Sequence, residues 1–90
     1  MIFSSGAASI GALNTTRTRP ADILKAAILS NALGLVLIHN HPSGDPTPSQ
    51  ADIAMTRDIV RAGEAMGVAI HDHLIVGRDG HVSLKALGLF

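Results

Sequence analysis

The chain has 90 residues, 47% of them apolar but only 2% aromatic, which points to one small domain with a core of Ala, Val, Leu and Ile. Seven basic and seven acidic side chains cancel, which argues against a domain whose main work is neutralising phosphates. The absence of cysteine excludes a disulfide framework, thiolate catalysis and every cysteine-bearing zinc motif, so a metal must be held by His, Asp, Glu, backbone or water.

In chain order, residues 1–18 are small and polar, with Ile10 and Leu13 the only large apolar side chains after Phe3. They are expected to form a weak edge strand or a loosely ordered segment. Pro20 suits the first turn of a helix, with Asp22 near its positive end. Ile23, Leu24, Ala27, Ile28 and Leu29 recur at helical spacing, which predicts a helix over 20–32 that closes near Asn31 and Gly34. Leu35 to Ile38 reads as a short strand covered on both faces. This longest central apolar run is far short of the roughly 20 residues that cross a bilayer. The first residues show neither a basic leader nor an apolar stretch of signal length. A cytoplasmic, membrane-free protein is expected.

His39-Asn40-His41-Pro42-Ser43-Gly44-Asp45-Pro46-Thr47-Pro48 follows as a loop, because three prolines and a glycine forbid helix. From Ser49 to about Met66 the pattern is helical and is stopped by Gly67, with Met55 and Met66 read as helix packing. Residues 68–76 predict a strand, and Arg78-Asp79-Gly80 a hairpin turn into a last strand from His81 to Leu84. The expected fold class is α/β (α+β): a mixed β-sheet flanked by helices.

Chemistry concentrates around the two histidines. His39 and His41 are two apart at the end of a predicted strand, so both imidazoles point the same way if the strand persists through them. On a wheel of 100° per residue starting at Ile53, Val60, Thr56, Gly63, Ile59 and Met66 fill an arc from roughly 340° down to 220°. Asp52 falls near 260°, inside that arc, whereas Gln50, Arg57, Asp58 and Arg61 lie outside it. A carboxylate aimed into the apolar side must be paired, hydrogen-bonded or metal-bound. Two His and one Asp, with a fourth position open to water, form a zinc site of hydrolytic type.

Seven residues separate His41 from Ser49, and two separate Ser49 from Asp52. With His39-x-His41-Pro42, this spacing resembles the JAMM motif of the JAB/MPN-plus metallopeptidase-like domains. The fuller string from His39 to Asp52, with Gly11-Ala12-Leu13-Asn14 upstream and Asp72-His73-Leu74-Ile75-Val76-Gly77 downstream, resembles the RadC branch more narrowly. The resemblance runs from about Gly11 to Phe90. It implies that His39, His41 and Asp52 bind one zinc ion per chain and that Ser49 helps stabilise an oxyanion. It also implies a mixed α/β sheet with flanking helices, and a glutamate on an earlier strand that activates the attacking water. Eukaryotic relatives of that family cleave isopeptide bonds to ubiquitin; the RadC name implies DNA repair but supplies no substrate.

One part of the pattern is missing. The only glutamate, Glu64, follows the metal motif; twelve residues past Asp52, it is displaced roughly 18 Å along a helix and about 120° around it. By position the base belongs around Ser5 to Ala8, or before Met1, and none of those residues is a carboxylate. Two expectations remain open: a single RadC-like domain over residues 1–90 that is N-terminally incomplete, or a relative that keeps the metal ligands without the base. General-base assistance is worth roughly 10²–10⁴-fold, so turnover is in question while metal binding is not.

Plainer readings stand beside these. Ser49 and Asp52 also spell a helix capping box, S-x-x-D, and Ser49 can both cap and assist. His71 and His73 form a second His-x-His, read as a polar strand face or as hydrogen-bonded support, with Asp72 or a backbone carbonyl as acceptor for a ligand imidazole. Asp45 reads as a turn residue and His81 is assigned nothing. The letters His39-Asn40-His41 do not make an HNH nuclease, whose residues are spread over tens of positions. A zinc deaminase needs a Cys pair, which is absent.

The leading expectation is therefore a zinc-dependent metallohydrolase acting on a peptide or isopeptide bond, with Ser49 catalytic and His39, His41 and Asp52 as metal ligands. The alternatives are a metal-binding protein-interaction module without turnover, and a DNA-repair-associated protein. A peptide or protein partner is expected, nucleic acid is disfavoured by charge, and the sheet edge that missing early strands would expose makes self-association reasonable.

Overall fold

The computed structural model of the chain describes residues 2–5 and 19–90. Among these described residues, four strands and two helices follow in the order β1 (Ile2–Ser5), α1 (Pro20–Leu29), β2 (Gly34–Asn40), α2 (Gln50–Met66), β3 (Ala69–Val76) and β4 (His81–Ser83). The fold is a small α+β arrangement around one mixed sheet of order β1-β2-β3-β4. β1 and β4 pair antiparallel at the two edges, whereas β2 and β3 run parallel and are joined by the α2 crossover. The edge strand expected near the start is thus Ile2–Ser5; the rest of the first eighteen residues lie outside the described residues.

Both helices stop through the same device. Asn31 takes the left-handed φ of 57° after α1, and Gly67 takes φ 76° after α2. In each case the following amide reaches back over the helix end: Ala32 N–H donates to the Ala27 carbonyl at 2.9 Å, and Val68 N–H to that of Gly63 at 2.8 Å. α1 therefore ends at Leu29, three residues before the expected Ala32. Ser30 helps to stop it, because its hydroxyl donates to the Ala26 carbonyl at 2.8 Å.

The core lies between the helices and one face of the sheet. Ile23, Leu24 and Ala27 of α1 and Ile59 of α2 meet Leu35 and Leu37 of β2, with Ala32 and Val68 closing the ends. Met55 packs against this cluster as expected. Met66 does not: the last residue of α2 is half exposed, because the chain turns away at Gly67 before the sheet can cover it.

A register irregularity in the parallel pair decides which side chains join that face. Leu35 is opposite Ile70, but Val36, the next residue, is opposite Asp72. β3 takes two steps where β2 takes one, so the inward set changes from Ile70 to His73 and Ile75, which stand opposite Leu37 and His39. Regular pairing would have turned Asp72 inward instead. Among the described residues no helix is long and apolar enough to cross a membrane.

Candidate metal centre

β2 outlasts the apolar run that predicted it and includes His39 and Asn40. The pairing continues one step further, with His41 N–H donating to the Val76 carbonyl at 3.1 Å. Strand alternation thus holds as far as the second histidine, and both imidazoles emerge on the helix side. Their ring centroids are 4.8 Å apart at 86°.

The loop that follows is clamped. Gly44, at φ 83°, donates N–H to the His41 carbonyl at 3.0 Å and accepts the Arg78 N–H at 2.8 Å. Gly77 lies so close to the Gly44 carbonyl and to Pro46 that a Cβ there would collide with both. The β3–β4 turn therefore fixes the loop that leads from His41 into α2.

At the start of α2, Ser49 and Asp52 form the capping box: Asp52 N–H donates to Ser49 Oγ at 3.0 Å, and Ser49 N–H to Asp52 Oδ2 at 2.9 Å. The same carboxylate faces the histidines, with Oδ2 3.0 Å from His41 Nε2 and Oδ1 3.4 Å from His39 Nδ1. Capping the helix and facing both histidines are therefore compatible in one side chain. Ser49 itself is exposed, so its hydroxyl hydrogen can turn toward an oxygen from outside.

His39, His41 and Asp52 form a group whose candidate ligand atoms all lie within 4.8 Å of one another. Tetrahedral ligands bound at about 2.0–2.1 Å stand roughly 3.3–3.4 Å apart, so the observed spacings need only a small adjustment to hold a divalent ion. Protonation supports the fit. His41 Nδ1 is 2.8 Å from the Asp45 carbonyl, an acceptor only, so Nδ1 carries hydrogen and Nε2 is the nitrogen turned to Asp52. Two acceptors facing at 3.0 Å need a proton or a cation between them. His39 Nδ1 is buried and makes no hydrogen bond.

Electrostatics favours the same state. Burial pushes the His39 pKa below its ordinary value, against the opposing pull of the Asp52 charge. Burial also opposes the Asp52 charge, but the hydrogen bond from the Ser49 amide, the facing Ser49 side chain and the nearby histidine rings together outweigh it and hold the carboxyl below its usual range. A neutral imidazole and an ionised carboxylate are what a metal requires.

Of the second His-x-His pair, His71 is exposed and only His73 joins the centre, 1% exposed and stacked on His39 at 6.0 Å and 23°. Its Nδ1 meets Thr56 Oγ1 at 2.6 Å, and Thr56 Oγ1 donates to the Asp52 carbonyl at 2.7 Å. Of the two expected kinds of acceptor, Asp72 or a backbone carbonyl, the His41 ring finds the second, the Asp45 carbonyl; Asp72 faces away and holds Ser83 Oγ and the Lys85 amide. Asp45 is otherwise the expected turn residue, accepting from Thr47. Thr56 was missed as part of the site; its place one turn after Asp52 on the inward arc was the available signal.

The profile of the family described as RadC-like JAB domain matches residues 1–89. The chain belongs to the RadC-like JAB family. It is also similar to the UPF0758 protein of Syntrophomonas wolfei subsp. wolfei, at 49% identity over 81 residues that make up 90% of this chain and 34% of that protein. The chain thus spans about a third of the length of that relative. JAB domains are typically metal-dependent, and the His-His-Asp group is where this chain could bind the ion.

Proposed function

We propose that this RadC-like JAB chain is the metal-binding core of a zinc-dependent hydrolase of the JAMM type, which adds water across a peptide or isopeptide bond. The observation that carries the reading is the meeting of His39, His41 and Asp52 from the end of β2 and the start of α2, with a buried His39 nitrogen that lacks a hydrogen bond. A divalent metal held there supplies Lewis acidity toward a carbonyl oxygen and lowers the pKa of water.

The chain's own residues have distinct tasks. His41 is oriented by the Asp45 carbonyl, and Asp52 is kept ionised by the Ser49 amide. Ser49, exposed beside the centre, donates its hydroxyl hydrogen to the carbonyl oxygen as that atom gains charge. The proton released by the attacking water needs a base. Asp52 is the only carboxylate in the ligand group, and Glu64 is exposed far along α2. That favours a second reading, in which the chain as it stands binds metal and a protein partner without turnover. A cytoplasmic setting and a peptide or protein substrate belong to the leading proposal.

Elemental mass spectrometry on the purified chain and its Asp52→Ala variant tests the metal reading, followed by assays against quenched peptides and an isopeptide-linked lysine peptide. One zinc per chain, lost in the variant, with cleavage that depends on Asp52 and Ser49, supports the hydrolase. Bound zinc without cleavage favours the second reading, and a parent that cannot be loaded with metal overturns both.

A further inference from the structure

Among the described residues, two polar side chains outside the candidate ligand group are fully buried, Thr56 at 0% and His73 at 1% exposed, and they touch each other. The protons in this pair can be placed from geometry. Thr56 Oγ1 is 2.7 Å from the Asp52 carbonyl, which only accepts, so the hydroxyl hydrogen points there. If His73 Nδ1 were bare, its contact with Thr56 at 2.6 Å would set two acceptors against each other. Nδ1 therefore carries hydrogen, and a directed chain runs from His73 Nδ1–H through the Thr56 hydroxyl to the backbone of Asp52.

This arrangement is an unusual way to fill space. A leucine would occupy the core without leaving a polar atom stranded, yet His73 Nε2 is buried and has no hydrogen-bond partner. The imidazole also stacks on the ring of His39. One buried side chain on β3 thus contacts a ligand from β2 directly and a ligand on α2 through one hydroxyl. It sits there because the register irregularity before Asp72 turns His73 inward.

We propose that His73 is a positioning residue of the metal centre: through Thr56 it holds the first turn of α2, which carries Asp52, in register with the β2 ligand His39. The inference rests on the metal-binding reading and goes beyond it by naming the groups that set the distance between the two ligand-bearing elements. First turns of helices fray most readily, so an external tie at the Asp52 carbonyl acts where the ligand geometry is least fixed by the helix itself.

The test uses the full chain with two probes, zinc affinity by competition with a chromophoric chelator and the visible absorption of the cobalt-substituted site, with circular dichroism to establish folding. His73→Leu and Thr56→Val each break the chain and are expected to weaken zinc binding about 10–100-fold and to alter the cobalt spectrum. Thr56→Ser keeps the hydroxyl and is expected to restore both properties close to those of the parent. Ile59→Val loosens the same helix without touching the chain and is expected to lower thermal stability with an unchanged spectrum. If His73→Leu does not fold, the comparison of Thr56→Val with Thr56→Ser decides the matter. Folded Thr56→Val that matches the parent, or a serine variant no better than the valine, overturns the positioning role and leaves the metal reading intact. Equal effects from Ile59→Val also overturn it. A parent that binds neither ion overturns the metal reading and this inference with it.

Discussion

His39 Nδ1 lies 3.4 Å from Asp52 Oδ1 and makes no hydrogen bond, although both side chains are almost withdrawn from water. A buried imidazole nitrogen beside a carboxylate oxygen is poorly satisfied unless a proton or a metal cation joins them. Zinc binding is therefore expected to stabilise the parent, by about 2.7 kcal/mol when free zinc is a hundred times its dissociation constant. Asp52→Ala should lose affinity by more than the roughly 10–100-fold typical of contacts around a ligand. Thermal melts with and without zinc check this: the parent should shift upward and the variant should not.

Ser49 separates two roles that Asp52 combines. Ser49→Ala removes the hydroxyl that accepts the Asp52 amide, but leaves its own backbone amide to hold Asp52 Oδ2. A loss of stability of about 1 kcal/mol is expected, as for other N-caps, with zinc binding largely kept. Any hydrolytic turnover should fall much further, by about 10²–10³-fold if the hydroxyl meets the oxyanion. Denaturation, metal titration and turnover measured on the same preparation distinguish the three effects.

Much of this cluster's placement was legible in the sequence because each of its three side chains obeys a local rule. Alternation placed His39 and His41 on one face, and the helical wheel turned Asp52 inward with Thr56, Ile59 and Gly63. What stayed hidden depends on relations between distant segments. Nothing local to β3 announces that Val36 stands opposite Asp72, so nothing separates an inward His73 from an exposed His71. The Asp45 carbonyl could not be singled out for the same reason, because backbone groups carry no sequence signature. α1 was expected to run to Ala32 because the apolar period continues, whereas Ser30 and the left-handed Asn31 end it at Leu29.

The glycine at the β3–β4 turn offers a way to disturb the ligand loop from a distance. A Cβ on Gly77 would meet the Gly44 carbonyl and Pro46 Cδ, the latter at 2.7 Å, so the loop must move. Gly77→Ala is expected to destabilise the chain by about 1–3 kcal/mol and also to weaken zinc binding. Gly63→Ala collides instead with the Val68 carbonyl, at the far end of α2 from the ligands, and should lower stability without the binding defect. A Cβ on Gly80 meets nothing within 4 Å, so Gly80→Ala serves as the control. Equal zinc affinities for the Gly77 and Gly63 variants would contradict the view that this turn fixes the loop.

The metal-free chain should lose stability in mild acid because of His73. Burial, and less so the neighbouring His39 charge, lowers its pKa from 6.5 to about 4 in the folded state. Between those values the unfolded chain binds the proton and the folded chain does not, so unfolding takes up protons and stability rises with pH. The stabilisation due to neutral His73 is thus complete above pH 6.5 and lost as pH falls toward about 4, amounting to about 3 kcal/mol across that window. His39, lowered in the same direction by burial, adds to the trend. Asp52, whose pKa is held below its ordinary 3.8, contributes only at still lower pH, where its protonation removes the capping and ion-pair contacts. Melting temperatures measured in chelator from pH 7 to pH 4 should fall steeply for the parent. They should fall less for His73→Asn, which removes the titrating ring while keeping an N–H that can face Thr56. Parallel slopes for the two proteins would mean that the acid sensitivity arises elsewhere.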